Sequence, residues 1–230
     1  PLGKAMSFDG SNDGLNMINK NVSFSNQNFS FCAWVKTSKN DTDYQSVITK
    51  GAVGGGGKRA FLDIRSGVVY FILDDDSTAK QVIGSTTVAN GNWYHIAGVR
   101  DGNNLKCYVN GSSDATPIDI TGYSNIDDLT KPVAIGISSS DLSSDKFNGQ
   151  IKDVLILNRA LTAQEVSDIY SNKAFDYEKD IVSEWDMSDI NPKDVGWKNN
   201  GNDGTGTNLD STNIVNGVSG GKALSFNGTD

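Results

Sequence analysis

The stretch Asn92–Gly111, NWYHIAGVRDGNNLKCYVNG, places two apolar runs on either side of Asp101-Gly102-Asn103-Asn104. In each run apolar residues recur with a period near two, as in a strand that buries one of its faces. Asp, Gly and Asn are favoured in tight turns because they tolerate the backbone angles that a turn requires. The stretch therefore predicts a β-hairpin within an antiparallel sheet.

The same pattern recurs along most of the chain. Further strand candidates, each ending near Gly, Asn, Asp or Ser, are KAMSFD, FSFCAWVKT, SVITK, RAFLDIR, VVYFILD, PVAIGI and GQIKDVLILN. A single short helix is predicted after Thr162, because Thr162 and Glu165 have the spacing of a capping box. Val166, Ile169 and Tyr170 share one face of that helix, which we expect to cover one end of the core. The prediction is an all-β antiparallel sandwich with one short helix.

Composition excludes two classes of partner. The 230 residues carry a net charge of −8 and show no basic stripe with interleaved aromatic residues, so no nucleic-acid partner is expected. No apolar run approaches the roughly 20 residues that cross a bilayer, so no membrane insertion is expected.

The glycine-rich stretch GAVGGGGKR lacks the spacing of a phosphate-binding loop and has Arg59 where that motif requires a hydroxyl residue.

One phrase occurs twice. KAMSFDG at residues 4–10 matches KALSFNG at residues 222–228, an offset of 222 − 4 = 218 residues. A match of this kind indicates an internal repeat and bears on where the domain begins.

Four stretches together resemble the laminin-G-like, concanavalin A-like family of jelly-roll sandwiches, which is related to the pentraxins. They are GKAMSFDGSND, FSFCAWVKT, NWYHIAGVRDGNNLKCYVNG and FNGQIKDVLILNRALTAQEV, and the resemblance extends over roughly residues 3 to 171. The resemblance implies a jelly-roll β-sandwich. It also implies that IVSEWD at residues 181–186 and GNDGT at residues 201–205 are the beginning of such a domain.

The expected domain organisation follows from the resemblance. Residues 1–172 form the laminin-G-like sandwich, and residues 173–180 are a connector. Residues 181–230 are either the start of a following repeat or a strand-donating tail that completes the same sandwich. An isolated sandwich without that strand would expose an unpaired edge. The sequence leaves both alternatives open.

A structural calcium ion is predicted at the loop Asp9-Gly10-Ser11-Asn12-Asp13. Calcium takes six to eight oxygen ligands, and this loop offers several carboxylate and amide oxygens, with Gly10 permitting a tight turn. The family resemblance implies that the loop lies near the late strand GQIKDV, which would add Asp153. The predicted ligands are therefore Asp9, Asp13 and Asp153. The alternative is a loop of Asx-turns without metal.

No catalytic residue is predicted. Glu184-Trp185-Asp186-Met187-Ser188-Asp189 is similar to the E-x-D-x-x-E pattern of sandwich-fold glycoside hydrolases, but Asp189 stands where the last Glu is required. His95, the only histidine, lies in a strand and is expected to be structural. Residues that bind a sugar are not predicted. Trp34 and Trp93 are expected to pack, and the exposed candidates Tyr44, Tyr70, Tyr123 and Trp197 are scattered along the chain.

The expected function is that of a non-catalytic carbohydrate-binding or adhesive module in a larger extracellular or virion-surface repeat protein. Its partners would be a glycan or a cell-surface or virion protein, together with neighbouring repeats of the same chain. The first alternative is a structural repeat of a fibre, joined through its terminal strands. A weaker alternative is a glycoside hydrolase.

Overall fold

The computed structural model describes residues 4–17, 22–52, 57–173, 181–185, 191, 203–207, 209 and 213–216. In this part of the chain the strands form two antiparallel sheets, of nine and of seven strands, which pack face to face. One helix accompanies them. The predicted antiparallel β-sandwich with a short helix is confirmed.

The nine-stranded sheet contains strands from both ends of the chain. Its strands are β1 (Lys4–Asp9), β3 (Phe29–Lys36), β8 (Trp93–Asp101), β9 (Asn104–Val109), β10 (Ser112–Ser113), β11 (Ile118–Asp119), β13 (Asn148–Leu157), β14 (Ile181–Trp185) and β16 (Ile214–Asn216). Their order is β10-β9-β8-β3-β13-β1-β16, with β11 beside β9 and β14 beside β13. Strands β8 and β9 form the hairpin predicted from Asn92–Gly111, with Asp101 opposite Asn104.

The seven-stranded sheet likewise contains strands from distant parts of the chain. Its strands, in spatial order, are β15 (Gly204–Thr207), β2 (Gly14–Met17), β12 (Val133–Ile135), β4 (Gln45–Gly51), β5 (Arg59–Arg65), β6 (Val68–Asp74) and β7 (Lys80–Ile83). Alternate residues of β5 and β6, such as Leu62, Ile64 and Phe71, point into the core between the sheets and are buried. The intervening residues therefore lie on the outer face of this sheet.

The helix α1 (Ala163–Tyr170) begins with the predicted capping box. The Thr162 hydroxyl accepts a hydrogen bond from the backbone amide of Glu165 at 3.2 Å, and the Glu165 carboxylate accepts one from the amide of Thr162 at 2.8 Å. Val166 packs in a second apolar cluster with Cys32 and Leu157, which is separate from the core between the sheets. The helix therefore lies on the outer face of the nine-stranded sheet, and the expectation that it covers one end of the core was wrong.

The two cysteines are free and buried. Cys32 belongs to the cluster under α1, whereas Cys107 belongs to the core between the sheets, and strand β8 separates their two strands. Burial raises the pKa of each thiol to about 12. Neither thiol is therefore a nucleophile at neutral pH.

Candidate functional site

A row of polar and aromatic side chains crosses the outer face of the seven-stranded sheet. Asp63 in β5 lies directly opposite Ser46 in β4 and Tyr70 in β6. Directly paired residues of antiparallel strands project to the same face, so these three side chains are neighbours. We call Tyr44, Ser46, Asp63, Tyr70 and Asp145 the outer-face site.

Two tyrosines form the open side of this site. The rings of Tyr44 and Tyr70 contact edge to face, with their centroids 6.0 Å apart and their planes at 84°. Arg65 holds Tyr44 in place, because its guanidinium lies 4.6 Å from the centroid of the tyrosine ring and donates a hydrogen bond to the hydroxyl at 2.9 Å. Both tyrosines are half-buried, so one part of each ring faces solvent. The expectation that the exposed aromatic candidates are scattered was wrong for this pair.

Asp63 is the buried acid of the site. This residue is 1% exposed, and its carboxylate oxygen Oδ1 has no hydrogen-bond partner in the part of the chain that the structure describes. Burial, followed by the negative charge of Asp145, raises the pKa of Asp63 well above its usual value. The Ser46 hydroxyl and Arg59 act in the opposite direction and do not compensate. An acid in this environment can donate a hydrogen bond from its protonated form or accept one through Oδ1.

Asp145 brings a second carboxyl group to the site from the loop between β12 and β13. Its carbonyl accepts a hydrogen bond from the backbone amide of Ser46 at 2.8 Å, which fixes the loop against β4. Burial raises the pKa of Asp145, and the charge of Asp141 raises it further. The positive charge of Arg59 opposes this rise, but Arg59 is itself paired with Asp74 at 3.3 Å. The outer-face site therefore combines aromatic ring faces with two carboxyl groups whose charge is poorly compensated.

The predicted calcium loop is held by hydrogen bonds within the protein. Gly10 has φ +78°, as the tight turn requires, and Asp9 Oδ1 accepts hydrogen bonds from the amides of Ser11 at 2.6 Å and Asn12 at 3.3 Å. The buried Asp13 accepts bonds through Oδ2 from the amide of Asp9 and from the side chain of Asn213, both at 2.9 Å. Asp9 and Asp13 are thus brought together, in a loop of the Asx-turn type.

Asp153 lies away from that loop. Asp9 pairs with Asn148 in β13, and Asp153 is five residues further along the same strand, roughly 16 Å at the rise of a β-strand. Its carboxylate instead pairs with the buried Lys152 at 2.7 Å. The structure therefore does not bring the three predicted ligands into one site. Among the described residues, no group of three or more His, Cys, Asp or Glu side chains could hold a metal ion.

His95 lies in β8, within the nine-stranded sheet. His95 is 1% exposed and lies against Trp34 and Tyr170, and burial lowers its pKa to about 4. It is therefore neutral at physiological pH and inaccessible to a substrate. Trp34 is half-buried and stacks on Tyr170, with ring centroids 5.6 Å apart. Asp186, Asp189 and Trp197 lie outside the described residues, and so does the side chain of Glu184.

Comparison with family models matches residues 9–167 to the concanavalin A-like lectin/glucanases superfamily. This match covers more than half of the chain, which therefore belongs to that superfamily. A search of curated proteins finds no match. Among the described residues, no helix is long and apolar enough to cross a membrane.

Several solved structures have the same fold. A candidate carbohydrate-binding protein of Bacteroides ovatus is 18% identical with a TM-score of 0.68, and the alignment covers 94% of this chain and 60% of that one. The pentraxin of Limulus polyphemus is 19% identical with a TM-score of 0.56, covering 76% and 84%. The receptor-binding domain of botulinum neurotoxin mosaic serotype C/D is 20% identical with a TM-score of 0.55, covering 74% and 42%. The chain thus spans less than two thirds of the first and third of these proteins.

Proposed function

We propose that this chain is a non-catalytic carbohydrate-binding module and that the outer-face site is where the glycan binds. One observation carries the proposal. Tyr44 and Tyr70, which are far apart in sequence, form an aromatic pair beside the buried carboxyl group of Asp63. A sugar ring has an apolar face that packs on an aromatic ring and hydroxyl groups that bond to carboxyl oxygens, so the tyrosine pair and the half-buried carboxyl group of Asp145 in the same site are complementary to it.

Support also comes from the fold. The superfamily contains lectins, and the structural neighbours include a candidate carbohydrate-binding protein and a toxin's receptor-binding domain. Modules of these kinds act outside the cell, so we place this chain in an extracellular or surface-exposed protein, with a virion surface as one such setting. Fold likeness supports the class of function by analogy, whereas the choice of site rests on the tyrosine pair.

The experiment is binding of the whole chain to a broad glycan panel, in calcium and again in chelator. We expect Tyr44→Ala to weaken binding of the best glycan about tenfold, because the loss of one aromatic contact of about 1.4 kcal/mol changes Kd by that factor. Tyr170→Ala is the matched control. It removes a tyrosine of α1 that is 37% exposed and lies on the outer side of the other sheet, and it should leave Kd unchanged.

Three results would contradict the proposal. The folded chain could bind no glycan on the panel, both tyrosine variants could weaken binding equally, or the chain could release sugar from a bound glycan. The last outcome would indicate a glycoside hydrolase. The comparison of calcium with chelator tests a separate prediction. Glycan binding or thermal stability that depends on calcium would support the predicted structural ion. Asp9→Asn would then abolish this dependence on calcium.

A further inference from the structure

The described strands between residues 181 and 216 occupy three edges of the sandwich. Strand β14 pairs with the second half of β13, where Trp185 lies opposite Val154. Strand β16 pairs with the outer edge of β1, and β15 pairs with the outer edge of β2. Without these strands all three edges would present unpaired backbone groups.

Side chains from the same segment complete the core. Trp185 is 1% exposed and belongs to the core between the sheets, and Val182, Leu209 and Ile214 pack against that core. The Asn213 side chain donates hydrogen bonds to the carbonyl of Ser7 at 2.8 Å and to Asp13. The described residues of this segment are thus an integral part of the sandwich, whichever copy supplies them.

The sequence supplies a second partner for this segment. Residues 222–228 repeat residues 4–10, which contain β1, at an offset of 218. In the structure Lys4 lies opposite Asn216 and Met6 lies opposite Ile214. The same register applied to the repeated phrase would pair Lys222 with Asn216 in a hairpin, joined by the five residues GVSGG at 217–221. Loops of five residues are common in β-hairpins, and glycine supplies the backbone freedom they need.

Connectivity along β13 fits this interpretation. Strands β1 and β14 lie on the same side of β13, β1 beside residues 148–151 and β14 beside residues 154–157. Both run antiparallel to β13, so the end of β14 points toward the start of β1. Segment 181–216 of a preceding copy, entering from the N-terminal side of β1, would therefore occupy the same position beside β13 as this chain's own segment 181–216.

We propose that residues 181–216 are an exchangeable unit which, when copies of this chain are joined in tandem, docks on the sandwich of the following copy. The partner of the β1, β2 and β13 edges is then residues 181–216 of a neighbouring copy. The short hairpin loop favours this arrangement, because a strand tethered by five residues has a higher effective concentration than one that returns through a whole domain.

The test is a tandem protein in which residue 221 of the first copy is followed directly by residue 4 of the second, so that the 218-residue period is kept. Two variants share Asn216→Cys in the first copy. One adds Lys4→Cys in the second copy and the other adds Lys4→Cys in the first copy. Directly opposed strand residues lie within the Cα distances that a disulfide spans. The native thiols, with pKa values of about 12, compete little.

After mild oxidation, the remaining thiols are counted by intact mass following maleimide labelling in denaturant. We expect the second-copy variant to form the disulfide at about five times the yield of the first-copy variant or more. Replacing Lys4→Cys by Ser11→Cys in the second copy is the control. Ser11 is exposed and has no partner in β16, so no disulfide should form.

Equal or greater yield in the first-copy variant would overturn the proposal, since the segment then folds back on its own sandwich. No disulfide in either variant would overturn it as well, because β16 would then not lie against β1 of either copy. The reduced forms of all three proteins, compared by circular dichroism, establish that each is folded. Glycan binding plays no part in these results, so they are independent of the proposed function.

Discussion

His95 gives the stability of this protein a specific dependence on pH. Its imidazole is fully buried beside Trp34, and neither ring nitrogen has a hydrogen-bond partner among the residues that the structure describes. Burial therefore lowers its pKa from 6.5 to about 4. Each pKa unit corresponds to about 1.4 kcal/mol, so protonating His95 in the folded protein costs about 3 kcal/mol relative to the unfolded chain.

The sign follows from proton linkage. Between pH 6.5 and 4 the unfolded chain binds a proton at His95 and the folded protein does not, so the free energy of unfolding falls as the pH is lowered through this range. Above pH 6.5 both states are neutral at this residue and the cost vanishes. Below pH 4 both states are protonated and the full cost is present.

The substitution His95→Phe removes this titration while keeping an aromatic ring beside Trp34. Urea unfolding of both proteins at pH 7.5, 6.5, 5.5, 4.5 and 4 gives the free energy of unfolding at each pH. The contributions of all other groups are shared and cancel in the difference. Wild type should lose about 3 kcal/mol more than His95→Phe between pH 7.5 and 4. Parallel curves, agreeing within about 0.5 kcal/mol, would refute the argument from burial.

Three further predictions concern stability. Trp185→Ala should lower the free energy of unfolding by about 3–5 kcal/mol, because it empties a core position. Ile83→Ala, at an exposed position, should cost less than about 1 kcal/mol. Equal effects of the two substitutions in urea melts would show that Trp185 is not in the core. Thr162→Ala should cost about 1 kcal/mol and Thr162→Ser much less, because serine preserves the capping hydroxyl; the two variants would behave alike in the same melts if the cap made no contribution. Asp63→Asn should stabilise the protein at pH 7, because the raised pKa of Asp63 means that the folded state resists ionisation of this carboxyl group. The gain in stability should shrink as the pH falls toward 3.8. A variant less stable than wild type at pH 7 would contradict the prediction.

The sequence predicted those features of the fold that depend on short local patterns. The turn residues at 101–104 predicted the β8–β9 hairpin, and the spacing of Thr162 and Glu165 predicted the start of α1. These features depend on residues a few positions apart. The family resemblance then supplied the sandwich, which no single local pattern determines.

The outer-face site depends on register instead. Tyr44, Asp63 and Tyr70 meet only because β4, β5 and β6 pair as they do, and Asp145 joins them from a loop about 80 residues later. One signal was present in RAFLDIR, where Asp63 interrupts a strand of apolar residues on the face opposite Leu62 and Ile64. For the same reason Asp153 could be assigned to the strand that lies beside β1, but the distance between Asp153 and Asp9 could not be predicted.

The most direct test of the central claim is a crystal structure of the whole chain with the glycan that binds best on the panel. The account predicts a sugar ring packed on Tyr44 or Tyr70, with a hydroxyl group bonded to the carboxyl of Asp145. A glycan bound elsewhere, for example beside Trp34 and Tyr170 on the opposite sheet, would contradict it.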